Sequence, residues 1–401
     1  MISFFNHTTK EIVAVIDIRD GGVSGMLFSL DKKTGSIPEK LFSTRRVVMF
    51  QKNFDHKRLF FDTKKALLNV MKSLQGSRNG NPTKIFCVLG PHLYASQTRT
   101  IKVKYDNPTT VTNDLINKII LDDVRAFEQK HLPESTENTE HHNSILEHNI
   151  MQIKLNGYEV LDPLNKKASE VDISVFVSIS PASVIKELKE QISKHFHNNN
   201  VTFHSSVFVA FDTITERVTK EKDFILINTE DEVTEISIIK SNILEETFSF
   251  PLGQNFILRM LGHNFGTINE EAYSYLEMYN TKTGDPKTIS KIKEILNSTK
   301  EVWDDVFNKT VKKISKKYLL PSNLYITSEI KYQDIFTEFI TKANIPEFFK
   351  LNRTPILNFI NCDIFKEYYK NNNKYPDNVN LLFELFYINK IFHKDGLTLT
   401  G

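Results

Sequence analysis

The first ninety residues alternate between short apolar runs and polar breaks. IVAVIDI (12–18) is a β-branched run that stops at the turn RDGG, and SGMLFSL (24–30) resumes the apolar pattern, so the two predict a hairpin. Gly21 and Gly22 are read as supplying the positive φ of that turn. RRVVMFQ (45–51) predicts a third strand. In FDHKRLFFDTKKALLNVMKSLQ (54–75) the apolar spacing lengthens to a helical period, SRNGNP (77–82) is a turn cluster, and KIFCVLG (84–90) is a buried strand. The order β-β-β-α-β describes a sheet that begins as hairpins and later crosses over through a helix.

Residues 99–180 break this rhythm. RTIKVKY predicts a strand, TNDLINKIILDDVRAFEQKH an amphipathic helix after a Thr/Asn/Asp cap cluster, and HLPESTENTEHHNS a polar loop. HNIMQIKLNGYEVLDP predicts a hairpin about Asn156 and Gly157, followed by the strand VDISVFVSIS and the helix PASVIKELKEQISKHF. An apolar helix around FVAFDTITERV then leads into FILINTEDEVTEISII (224–239), a second hairpin built like the first: apolar strand, tight polar turn, return strand. Two such hairpins in successive halves predict a duplicated sheet lobe with both tips facing one cleft. Successive backbone N–H groups in a tight turn form a concave nest for phosphate oxygens.

Composition narrows the options. With 401 residues, 40% of them hydrophobic, the chain can bury a large core in two or three units. A formal charge of +2, from 51 basic and 49 acidic residues, gives no global pull towards nucleic acid. Cys87 and Cys362 stand far apart, which excludes a disulfide framework or a CxxC pair and suits a reducing, cytoplasmic setting. No signal-peptide pattern opens the sequence, and no apolar stretch reaches the roughly 20 residues that span a bilayer. The last residues do not read as an amphipathic membrane anchor, so membrane contact is expected only through a partner.

The paired hairpins, the inserted segment HNIMQIKLNGYEVLDPLNKKASEVDISVFVSIS, the Pro-x-Gly turn and helices of EETFSFPLGQNFILRMLGHNFGTINEEAYSYLEMY, and LPSNLYITSEIKYQDIFTEFI carry a resemblance. Together they resemble the actin-like ATPase superfamily, and within it the FtsA cell-division proteins and the related PilM pilus proteins. The resemblance runs from about residue 10 to 345 and rests on order more than on invariant letters. It implies an α/β, two-lobed, ribonuclease H-like fold with duplicated mixed sheets and a small SHS2-type α+β subdomain inserted in the first lobe. The implied division is 1–98 and 181–222 for the first lobe, 99–180 for the insertion, 223–345 for the second lobe, and 346–401 for a C-terminal helical segment packed on the lobes.

The resemblance also implies two phosphate loops and an adenosine turn, and all three depart from the family pattern. In the first loop Asp17 is kept, but Arg19 and Asp20 stand where glycine and a hydroxyl residue are expected, ahead of Gly21 and Gly22. In the second, Asn228 replaces the acid expected near magnesium, Glu230 and Asp231 replace two glycines, Glu232 follows, and only Thr234 and Glu235 resemble the ending. Thr327, Ser328 and Glu329 stand in place of a Gly-Gly pair at the adenosine turn. Carboxylates beside a triphosphate repel it by about 1 kcal/mol per close pair in water and about 4 kcal/mol at an effective dielectric of about 20. Binding of ATP with Mg is therefore expected to be weakened or lost, with Arg19 as an alternative partner of the acids across the cleft. No catalytic residue is assigned, and an actin-fold small-molecule kinase is disfavoured.

Other features read more plainly. His141, His142, His148, His195 and His197 are expected as exposed side chains rather than metal ligands. Trp303 is expected in the core, and 311–318 as a solvated basic helix face. The adjacent Asp304 and Asp305 do not share a helix face and make no acid/base pair. YPDNVNLLFELFYINKIF is read as a helix closing the first lobe, or else an exposed aromatic docking surface. Two functions follow: a scaffold that links a cytoplasmic filament, FtsZ-like by resemblance, or pilus inner-membrane components; or an ATP-dependent polymerising switch.

Overall fold

The computed structural model describes residues 10–31, 38–51, 53–130, 143–267, 269–343, 354–369 and 378–394. The loop that holds His141 and His142, and the tract 371–374, lie outside them. β1 (Lys10–Arg19) and β2 (Gly22–Asp31) form the first hairpin, with Arg19 opposite Gly22. β3 (Glu39–Val47) pairs antiparallel with β2 from Ser29↔Glu39 to Gly22↔Val47. The third strand thus lies earlier than RRVVMFQ: after Val47 the chain leaves the ladder, and Val48 donates its N–H to Gly21 O at 3.1 Å. α1 (His56–Gly76) starts at Asp55, whose carboxylate accepts the Arg58 N–H at 2.8 Å. It buries Leu67, Val70, Met71 and Leu74 at helical spacing. β4 (Lys84–Leu89) then runs parallel to β1.

From β4 the chain leaves this sheet and builds another. β5 (Ala95–Thr110), α2 (Asn113–Lys130), β6 (Asn143–Leu155), β7 (Tyr158–Glu159) and β8 (Lys167–Pro181) give an antiparallel sheet of order β5-β8-β6-β7. Its inward positions alternate along β8, with Val171, Ile173 and Val175 buried against Ile116, Ile120 and Val124 of α2. α3 (Ala182–Phe196) brings the chain back to β9 (Val201–Ser205), parallel to β4, and α4 (Ser206–Arg217) follows. The α+β unit is therefore inserted in a sheet of order β3-β2-β1-β4-β9. His148 lies on β6, partly buried, rather than on an exposed loop, and burial lowers its pKa.

The second half repeats the plan. β10 (Phe224–Thr229), β11 (Thr234–Lys240) and β12 (Ile243–Phe250) form successive antiparallel pairs. After α5 (Gln254–Phe265), α6 (Asn269–Thr281) and α7 (Pro286–Ser315), β13 (Asn323–Thr327) runs parallel to β10. α8 (Ile330–Lys342) leads on to β14 (Ile356–Ile360), which closes the order β12-β11-β10-β13-β14. The two sheets share one topology, three antiparallel strands and then two parallel ones, with a register shift in the second hairpin of each. Trp303 is fully buried in this half and stacks on Phe307.

The C-terminal segment is not only helical, because β14 belongs to it. Its helix α9 (Val379–Lys394) packs on α4 and reaches β1 and β2. Residues 381–388 are all buried, so the helix is enclosed on every side, which excludes the exposed docking surface. One core joins Val13 and Phe28 of the first sheet, Phe224 and Leu226 of the second, and Leu382 and Leu385 of α9. The apolar seam between the lobes is continuous behind the hairpin tips. Among the described residues no helix is long and apolar enough to cross a membrane.

Candidate functional site

Both first hairpins end at this seam. The β1–β2 turn is Asp20 and Gly21; the β10–β11 loop is Glu230 to Val233, closed by Glu230 N–H to Val233 O at 2.9 Å. Arg19, buried at the end of β1, donates from Nε to both oxygens of Asp17, at 2.8 and 3.0 Å. Its Nη1 donates to Glu230 Oε1 on the opposite loop, and its Nη2 lies 3.7 Å from Glu384 Oε1 on α9. One guanidinium therefore serves three buried carboxylates from three elements. Burial opposes the charge on Arg19, yet Asp17, Glu230 and Glu384 raise its pKa well above the ordinary value. Burial likewise pushes Asp17 up, against the pull of Arg19.

Asp20 crosses the seam the other way. Its Oδ1 accepts the Asp231 N–H at 3.3 Å and its Oδ2 accepts the Glu232 N–H at 2.8 Å. Two successive amide groups of the second loop thus close on a carboxylate supplied by the first. Burial, then the neighbouring Asp231 and Glu230, raise the Asp20 pKa well above its ordinary value. Gly21 is needed for space and not for a positive φ: a Cβ there would fall 1.8 Å from Asp231 Oδ2. At Gly22 a Cβ would meet the Arg46 carbonyl at 2.7 Å.

Beside the tips lies a cavity of about 590 Å³. Asp17, Arg19, Gly22, Asn228, Glu230 and Asp231 reach its wall from the two hairpins, and Thr327, Ser328 and Glu329 from the end of β13. Asn228 donates to Glu230 at 2.7 Å and accepts from Thr327 Oγ1 at 2.7 Å. The Ser328 hydroxyl turns to the Glu329 carbonyl at 3.2 Å. Glu329 pairs with Lys331 at 3.0 Å and with Arg45 of β3 at 3.4 Å. Asp20, Gly21, Glu232 and Thr234 are not on the wall. Glu232 is held by Arg259 at 2.6 Å and Asn255 at 2.8 Å, and the Thr234 hydroxyl is spent on the Leu252 carbonyl at 2.8 Å.

No family model matches the chain, and no curated protein matches it in sequence. Its structure is similar to a chain of the PilM–PilN type IV pilus biogenesis complex, at TM-score 0.57 and 10% identity over 96% of this chain and 98% of that one. The chain has the two-lobed actin-like fold. It is also similar to a Bacteroides thetaiotaomicron protein described as having an actin-like ATPase fold and unknown function, at TM-score 0.44 and 10% identity over 96% and 99% of the two chains. The ethanolamine utilization protein EutJ from Carboxydothermus hydrogenoformans follows at TM-score 0.44 and 11% identity, over 87% and 84%.

Three long-range carboxylate contacts carry no local signature in the sequence. Glu384 is fully buried on α9 within the apolar run LLFELF; burial first, then Asp17, raises its pKa. A lone acid in a buried run was the available signal. Tyr94 OH donates to both oxygens of Glu235 on β11, at 3.1 and 3.3 Å, and accepts the Val207 N–H at 3.2 Å. Burial carries the Glu235 pKa up to about 8. Glu147 of the inserted unit accepts the Ser205 N–H at 2.8 Å at the start of α4. Each joins residues far apart in sequence, so no local pattern announces it.

Proposed function

We propose that this chain is an actin-fold scaffold that works through protein contacts in the manner of FtsA- and PilM-like proteins, with ATP binding weakened or lost. The observation that carries the reading is the Asp20 carboxylate on the Asp231 and Glu232 N–H groups. A carboxyl group already fills the nest a phosphate oxygen would need, and it is covalently tethered to the opposite lobe. Arg19 completes the substitution, since its charge lies between Asp17 and Glu230, where the family pattern puts a metal and phosphates. Lobe closure then comes from side chains of the chain itself.

PilM is paired with PilN in the type IV pilus biogenesis complex, and a comparable partner here would be an assembly-platform or filament protein at the inner face of the membrane. The inserted α+β unit is the surface we assign to it, with Tyr158 and Leu161 exposed after β6. The cavity of about 590 Å³ favours a second reading, an ATP-dependent polymerising switch.

Thermal unfolding with and without millimolar Mg-ATP separates the two, with Asp231→Gly as a control that removes a carboxylate from the second loop. The wild-type melting temperature is expected not to move. Ligand at 100 times its Kd stabilises by about 2.7 kcal/mol, so a clear rise in the wild type would overturn the scaffold reading in favour of the switch.

A further inference from the structure

The cavity has an imbalance of charge that its own residues do not settle. Asp17, Glu230, Asp231, Glu329 and Asp363 reach its wall against Arg19, Arg45 and Lys331. Arg19 is shared by Asp17, Glu230 and Glu384, while Arg45 and Lys331 both turn to Glu329. Asp363 holds Lys366 on the rim at 2.7 Å. The Asp231 carboxylate is left over: it rests above Gly21 and has no ion pair among the described residues. A second, separate demand comes from Gln254 at the start of α5. Its Nε2 donates to Thr229 O at 2.6 Å, but its Oε1 is buried with no donor; the residue contributes to the cavity wall and is only 3% exposed. A buried acceptor without a donor is costly to leave so.

We propose that this cavity binds a small organic cation carrying ammonium or guanidinium groups, its charge set against Asp231 and one N–H donated to Gln254 Oε1. The inference rests on the reading that the phosphate positions are filled from within, and names what the remaining space accepts. The volume falls within the range of small-ligand sites. Low-dielectric walls strengthen the attraction for one sign of charge. The same walls disfavour a phosphate ester. Among the described residues no group of three His, Cys, Asp or Glu side chains could hold a metal ion, which points to an organic cation.

The test is calorimetric titration and melting of the full chain with spermidine and agmatine as probes, with Mg-ATP in parallel, on the wild type and on Asp231→Asn. One probe is expected to bind with 1:1 stoichiometry and raise the melting temperature, and Asp231→Asn to weaken it about tenfold. Cys362, on the cavity wall, supplies a readout that needs no variant: the bound probe should slow its reaction with a thiol reagent in the wild type. That readout decides the matter if Asp231→Asn does not fold. Binding undiminished by Asp231→Asn, or without protection of Cys362, would mark a diffuse surface effect and overturn the inference. Silence of both amines with ATP also silent would overturn it and leave the scaffold reading intact; an ATP response with both amines silent would overturn both.

Discussion

Arg19 shows how much a single residue can be read from a turn and how much cannot. An arginine next to acids in RDGG, opposite EDEV in the second hairpin, already suggested a pair across the cleft. The structure bears that out at Glu230, and adds Asp17 on the same strand and Glu384, which no local pattern could link to a turn at the other end of the chain. Gly21 misled for a related reason: the letter shows conformational freedom, whereas the need there is room for a neighbour's carboxylate, while Gly22 does take the positive φ, at 158°. Breaking a buried ion pair by removing one partner leaves charge uncompensated and costs about 3–5 kcal/mol. Arg19→Ala is expected to lose about that much in urea denaturation. Arg19→Lys should recover only part, because an ammonium cannot reproduce the forked contacts to three carboxylates. A wild-type midpoint for Arg19→Ala would mean that the arginine contributes nothing to closure.

Elements were legible where one periodicity ran long enough to be unambiguous. α1 and the two hairpins follow their apolar spacing, and the repeat of hairpin and crossover gave the duplicated sheet. β3 and β14 were harder. β3 is an edge strand whose side chains are half-buried or exposed, so its burial leaves little pattern. β14 is five residues long and, among the described residues, pairs only with β13, in parallel, so no hairpin signal marks it. α9 is the reverse case, apolar on all sides because both lobes and α4 enclose it. Its role in joining the lobes predicts a large penalty for truncating its core. Leu385→Ala, at a fully buried position, should destabilise by about 2–5 kcal/mol, and the melting curve should stay a single transition because the helix belongs to one shared core. Two resolved transitions would show instead that the lobes unfold separately and that α9 does not couple them.

At the scale of the whole molecule, the seam gathers buried acids faster than it gathers cations, and stability should record that in its pH dependence. Glu235, buried on β11 and held by Tyr94, has its pKa carried by burial from 4.5 to about 8; Asp231 is carried from 3.8 to about 7. Asp20, Asp17 and Glu384 move in the same direction. A carboxyl with a raised folded-state pKa binds more protons folded than unfolded, so its contribution is present at low pH and fades as the pH climbs through the folded value. His92 works the other way, since burial lowers its pKa from 6.5 to about 3, and its contribution grows as the pH rises to 6.5; His148 is shifted in the same direction. The two effects oppose each other below 6.5, and above it the histidine contribution is complete. Between pH 6.5 and about 8 only the raised carboxyls remain to titrate in this set, and the urea midpoint is expected to fall. Glu235→Gln keeps an acceptor for Tyr94 without the charge, so it should flatten that fall. A midpoint that rises over the same interval would show that the seam holds its acids ionised and compensated, and the lobes would then be closed by charge pairing alone, with no help from shared protons.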